Sequence, residues 1–114
     1  GAMLSNSLPH YAGRRITLAG WLIAERRVPV KGSGCMKFLT FEDLAGVFEA
    51  VLFPAAYNRF GHLLTCYGPY IVVGIVQCEY GAYSVNVTGL KRIESSAPFR
   101  ENSRDNGIAQ LAIF

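Results

Sequence analysis

Met36–Pro54, MKFLTFEDLAGVFEAVLFP, decides how this chain is read. Phe38, Thr40 and Glu42 share one parity, and Leu39 and Phe41 take the other. Beyond Asp43-Leu44-Ala45-Gly46, Val47, Glu49 and Val51 oppose Phe48, Ala50 and Leu52. Successive strand side chains point to opposite faces, so alternation on both sides of a Gly-bearing reversal predicts an antiparallel hairpin. The face carrying Leu39, Phe41, Phe48, Ala50 and Leu52 is the apolar one, and Phe38 is left as a large aromatic on the otherwise polar face. Pro54 follows at once and suits the first position of a helix.

Upstream, Arg15–Arg27 (RITLAGWLIAERR) is strand-like and long. Ile16, Leu18, Leu22 and Ala24 form one parity, and Thr17, Trp21, Ile23 and Glu25 the other. Gly20 lies mid-strand, where the chain can bend or be closely approached. Val28–Gly34 reads as a loop through Pro29, Gly32 and Gly34. Downstream, Pro54–Leu64 predicts a short helix with Tyr57, Phe60 and Leu64 as an inward stripe, weakened at Gly61 by roughly 1 kcal/mol relative to Ala. A turn at Tyr67-Gly68-Pro69 precedes strands Tyr70–Glu79 and Tyr83–Lys91, joined by Tyr80-Gly81-Ala82. The expected fold is therefore all-β: three strands, one helix, then two strands, the order of a five-stranded Greek-key barrel of the OB type with one short helix between strands 3 and 4.

A chain of 114 residues holds one ordinary domain, and with 51% hydrophobic and 17% charged residues it is globular in composition. No apolar run approaches the ~20 residues that a membrane helix needs. Gly1-Ala2-Met3 reads as the remnant of a cleaved tag. The expected division is 1–13 as remnant and irregular lead-in, 14–93 as the barrel, and 94–114 as a flexible linker and tail. Cys35, Cys66 and Cys78 form no close pair and suggest reduced thiols in a cytoplasmic protein. With His10 and His62 far apart, neither a metal site nor a cofactor is expected.

Hydrolytic or transfer chemistry needs a nucleophile with a base, paired carboxylates or a metal cluster. Glu42 and Asp43 are adjacent and point to opposite faces; Glu42 and Glu49 share a strand-pair face that is ordinarily just solvated. His62 and Cys66 lie four apart with no third group to orient them, and no Gly-rich phosphate loop is present. The chain is read as a binding module and not a catalyst.

In this kind of barrel the groove runs over strands 2 and 3, between the loops joining strands 1–2 and 4–5. Arg26, Arg27, Lys31 and Lys37 gather around the first loop against one acid, Glu25. Cations hold phosphates and rings stack bases, which is what single-stranded nucleic acid requires. Trp21 and Phe38 are the stacking candidates, with Tyr80 and Tyr83 in the second loop as lesser ones. Glu42 and Glu49 on the same face repel phosphate, so weak affinity is expected.

The segment from Glu94 to Gly107 is rich in Ser, Asn, Arg and Asp and ends in an apolar tail, Ile108–Phe114. Gln110, Leu111, Ile113 and Phe114 could dock as a short motif in an apolar groove of a partner, or the tail could pack back on its own barrel.

Leu18-Ala19-Gly20-Trp21-Leu22 followed by Met36–Pro54 resembles the OB domain near the carboxyl end of the alpha subunit of bacterial DNA polymerase III. Its M-x-F-hydrophobic-T-hydrophobic-E-D-x-x-G pattern is matched here, as are a strand ending in F-P and a short helix with a Tyr, here Tyr57. More distantly the chain is similar to the anticodon-binding OB domains of class II aminoacyl-tRNA synthetases. There the position of Phe38 stacks a base and that of Glu49 is usually a base-reading Gln. Gln110–Phe114 resembles the sliding-clamp-binding pentapeptide of bacterial polymerases. The resemblance implies a non-catalytic module of a DNA-directed DNA polymerase, whose nucleotidyl transfer belongs to other domains. Its implied partners are single-stranded template DNA, those other domains, and the sliding clamp through the tail. A protein-interaction barrel, or an accessory domain of a nuclease or synthetase, remains the alternative.

Overall fold

The computed structural model describes residues 3–32 and 34–93. Five strands, β1 (Arg15–Pro29), β2 (Cys35–Asp43), β3 (Gly46–Leu52), β4 (Tyr70–Glu79) and β5 (Ala82–Arg92), and one helix, α1 (Pro54–Phe60), follow one another with the helix between β3 and β4. The strands close in the order β1-β2-β3-β5-β4, antiparallel except where β3 meets β5. This is the OB-fold arrangement expected from the element order.

Closure depends on β1 serving two neighbours. Arg15–Gly20 pair with β4 and Trp21–Pro29 with β2, so the strand changes partner at Gly20. A Cβ on Gly20 would stand 2.9 Å from the Glu42 carbonyl oxygen and 3.2 Å from Phe41 and Phe48, which leaves room only for glycine. The apolar hairpin face lies inside as expected, with Leu39, Phe41, Phe48, Ala50 and Leu52 all buried. Phe41 is the hub, its ring centroid 5.2 Å from Phe48 and 6.0 Å from Tyr70. Tyr57, Phe60 and Leu64 pack on this core as the predicted stripe. The α-helix is shorter than Pro54–Leu64, however, giving way to a 3-10 turn over Gly61–Leu63. Glycine is a poor helix former and final turns often tighten in this way.

Two further departures matter. The lead-in is not irregular: Ser5–Tyr11 is a 3-10 helix that sends Leu8 into the core. Asp43 ties this segment to the hairpin, accepting from the Ser5 N–H at 2.7 Å, the Ser5 hydroxyl at 2.8 Å, and the Ala45 and Gly46 N–H groups at 2.9 and 3.0 Å. One carboxylate thus holds both the β2–β3 turn and the amino-terminal segment. Secondly, the register of β1 shifts between Leu22 and Ala24, leaving Ile23 without an opposite residue. Ala24, expected on the same face as Leu22, instead sits opposite Thr40 on the outer face. The same bulge places Arg26 opposite Phe38 and Arg27 opposite Lys37.

Candidate nucleic-acid interface

The outer face of β2 and β3, with flanking residues of β1 and β5, forms three rows. Arg26, Phe38, Val51 and Asn86 stand side by side; then Ala24, Thr40, Glu49 and Ser84; then Trp21, Glu42 and Val47. The first row adjoins the β1–β2 loop and the third adjoins the β2–β3 turn. Phe38 is half-buried, and the Arg26 guanidinium lies 4.7 Å from its ring centroid. That contact is a cation–π pair at a solvent-facing site. Val51 has outward parity yet is buried, since it is flanked by Phe38 and Asn86 on the strands either side. In the middle row the Thr40 hydroxyl donates to Glu49 Oε2 at 3.0 Å and holds that carboxylate on the surface. Lys31 is exposed in the turn between β1 and β2.

Not every residue expected at the groove is brought there. Lys37 has the inward parity of Leu52; its Nζ is 2.7 Å from Glu25 Oε1 and 5.5 Å from the Tyr57 ring centroid, beside α1 and away from Phe38. Arg27 pairs with Lys37 and shares that face. Lys37 is turned away by alternation along β2, one residue from Phe38, whereas on β1 the bulge at Ile23 inverts the faces that follow it and so brings Arg26, not Arg27, beside Phe38. Tyr83 pairs with Cys78 at the barrel end and packs against the core, and a hydrogen bond with the Cys78 thiol holds its phenol above the usual range. Tyr80 is fully exposed at the β4–β5 turn with φ 52°. Trp21 is half-buried opposite Glu42, in the row farthest from Phe38. The contribution of Ser84 and Asn86 from β5 was missed. Its signal is the alternation Ser84-Val85-Asn86-Val87, polar outward and apolar inward, but only the barrel closure brings that edge beside β3.

Away from this face, Tyr70 is buried with its hydroxyl 2.8 Å from the Leu63 carbonyl and 3.0 Å from that of Cys66, the two sharing its proton. Burial and the adjacent Cys66 thiol raise its pKa. For Cys66 itself burial acts upward, but the Gly68 N–H, the Tyr70 hydroxyl and Arg92 together bring the thiol below its ordinary value. All three cysteines are free thiols. Among the described residues no three of His, Cys, Asp or Glu are placed to hold a metal ion, and no helix is long and apolar enough to cross a membrane. Gln110, Leu111, Ile113 and Phe114 lie outside the described residues.

No protein-family model matches the chain. It is 28% identical over 86 residues to an error-prone DNA polymerase of Symbiobacterium thermophilum, covering 74% of this chain and 8% of that protein. It is 29% identical over 107 residues to an asparagine–tRNA ligase of the same organism, covering 88% of this chain and 23% of that one. The chain therefore spans less than a quarter of the length of these curated relatives. Among solved structures, an asparaginyl-tRNA synthetase from Pyrococcus horikoshii complexed with asparaginyl-adenylate superposes with a TM-score of 0.64 at 26% identity, over 92% of this chain and 25% of that one. The second OB-fold domain of replication protein A from Methanococcus maripaludis gives a TM-score of 0.57 at 18% identity, over 75% of this chain and 89% of that domain. Both the strand order and this likeness define the class as an OB-fold domain.

Proposed function

We propose that this chain is a non-catalytic nucleic-acid-binding OB module of a bacterial DNA polymerase III alpha subunit, and that it contacts single-stranded template DNA. The observation that carries the reading is the Arg26 guanidinium lying 4.7 Å from the Phe38 ring on the β2–β3 face. A base stacks on Phe38 while Arg26 and Lys31 take the adjoining phosphates; such stacking contributes ~1–3 kcal/mol per base. Trp21, Tyr80, Arg27, Lys37 and Tyr83 are secondary in this scheme because they stand apart from that pair. The polymerase parent is supported by the similarity over 86 residues to an error-prone DNA polymerase. Titration of labelled oligo-dT at low and then raised salt tests the reading: binding that weakens with salt is expected, and no binding at low salt overturns it.

The tail belongs to the same proposal. Gln110, Leu111, Ile113 and Phe114 dock on the sliding clamp, and a clamp pull-down with Gln110→Ala plus Phe114→Ala should lose all capture. Unchanged capture removes the tail from the scheme. A second reading, an accessory OB domain of a class II aminoacyl-tRNA synthetase, is favoured by the asparagine–tRNA ligase match over 88% of the chain. Competition separates the two: oligo-dT displaces the labelled probe from a polymerase module, whereas transfer RNA displaces it at far lower concentration from a synthetase module.

A further inference from the structure

Along the β2–β3 face the charges are sorted by position. Arg26 and Lys31 lie at the loop end, and Glu49 and Glu42 occupy the next two rows towards the turn. Phe38 and Glu42 are four strand residues apart, about 13 Å. Glu49 is a diagonal neighbour of Phe38, and such neighbours stand ~7–8 Å apart, within one Debye length at physiological salt. The bond from Thr40 keeps the Glu49 carboxylate in place, so its charge is a fixed element of the face.

We infer that Glu42 and Glu49 set the length of nucleic acid this domain holds, excluding phosphates from the turn half of the face and confining the strand to the Phe38 half. This rests on the nucleic-acid reading above and goes beyond it in assigning the acids a role. A phosphate over Phe38 has cations beside it; one carried on towards Trp21 meets two carboxylates and no cation in either row. The contact therefore stops at the lower end of the site sizes known for OB-folds, about four nucleotides. The two acids act as an end-stop on the track, and Trp21 lies past Glu49, level with Glu42.

Labelled dT4, dT8 and dT12 titrated into the whole chain and into its Glu42→Gln, Glu49→Gln variant test this. Both residues are exposed, and glutamine keeps the acceptor for Thr40. Trp21 is the single tryptophan and reports on the turn half. The wild-type affinity is expected to level off at dT4, rising afterwards only with the number of available registers, and without quenching of Trp21. The variant should bind dT8 about tenfold more tightly than wild type, with a salt slope steeper by about 1.4 for two added phosphates and with Trp21 quenched. A wild-type affinity that climbs from dT4 to dT8 with Trp21 quenching, or a variant that binds no tighter, overturns the end-stop while leaving nucleic-acid binding in place. No binding at any length at low salt overturns the binding reading itself and the end-stop with it.

Discussion

The two faces of the β2–β3 hairpin are built from the same sixteen positions and answer to different constraints. Inside, Leu39, Phe41, Phe48, Ala50 and Leu52 are buried and their neighbours fill every side. Outside, Phe38, Thr40 and Glu49 are arranged as isolated pairs, one ring with one guanidinium and one hydroxyl with one carboxylate. Dense packing makes the inner face intolerant of change in volume, whereas the outer face is sensitive to change in charge and barely to change in volume.

Substitutions that exploit this difference rank as follows. Phe41→Ala removes a fully buried ring stacked on Phe48 and should cost about 3–5 kcal/mol, enough to leave much of the domain unfolded in chemical denaturation. Asp43→Ala strips the acceptor from the turn and from Ser5; a loss of about 2–3 kcal/mol in the same measurement is expected, with Leu8 and its segment the first to gain hydrogen exchange. Phe38→Ala inverts the pattern: oligo-dT affinity falls by about 1–3 kcal/mol, while folding stability drops by no more than about 1 kcal/mol. Equal losses in both would show that Phe38 belongs to the packing and not to the site. Smallest is Lys37→Met, which leaves oligo-dT binding within about twofold of wild type because its ammonium faces Glu25 and Tyr57. A loss of about tenfold or more would return Lys37 to the groove.

Much of the fold was legible along the chain. Parity in Leu39–Leu52 needs no tertiary information, since a one-residue slip would turn five apolar side chains to solvent. Gly20 was recognisable as a point of bending or close approach, and the Tyr70–Glu79 strand has its expected limits. The candidate site was legible only in part. Phe38 on the outer face follows from the hairpin alone, and the same alternation already sets Lys37 on the other face; the choice between Arg26 and Arg27 was not legible, because it rests on a bulge in β1. The lead-in was opaque for a related reason: a short segment containing Pro9 has no periodicity, and its order depends on a carboxylate 38 residues away.

By itself the sequence determined which residues of the hairpin go inside, the order of strands and helix, and therefore the class of barrel. These follow from local alternation and from the free energy of burying one apolar face. Only the tertiary structure decided that Arg26 and not Arg27 stands over Phe38, that Asp43 anchors the amino-terminal segment, and that cations and acids occupy opposite ends of one face. Those outcomes depend on register between strands and on contacts between distant segments, which exist only once the barrel has closed.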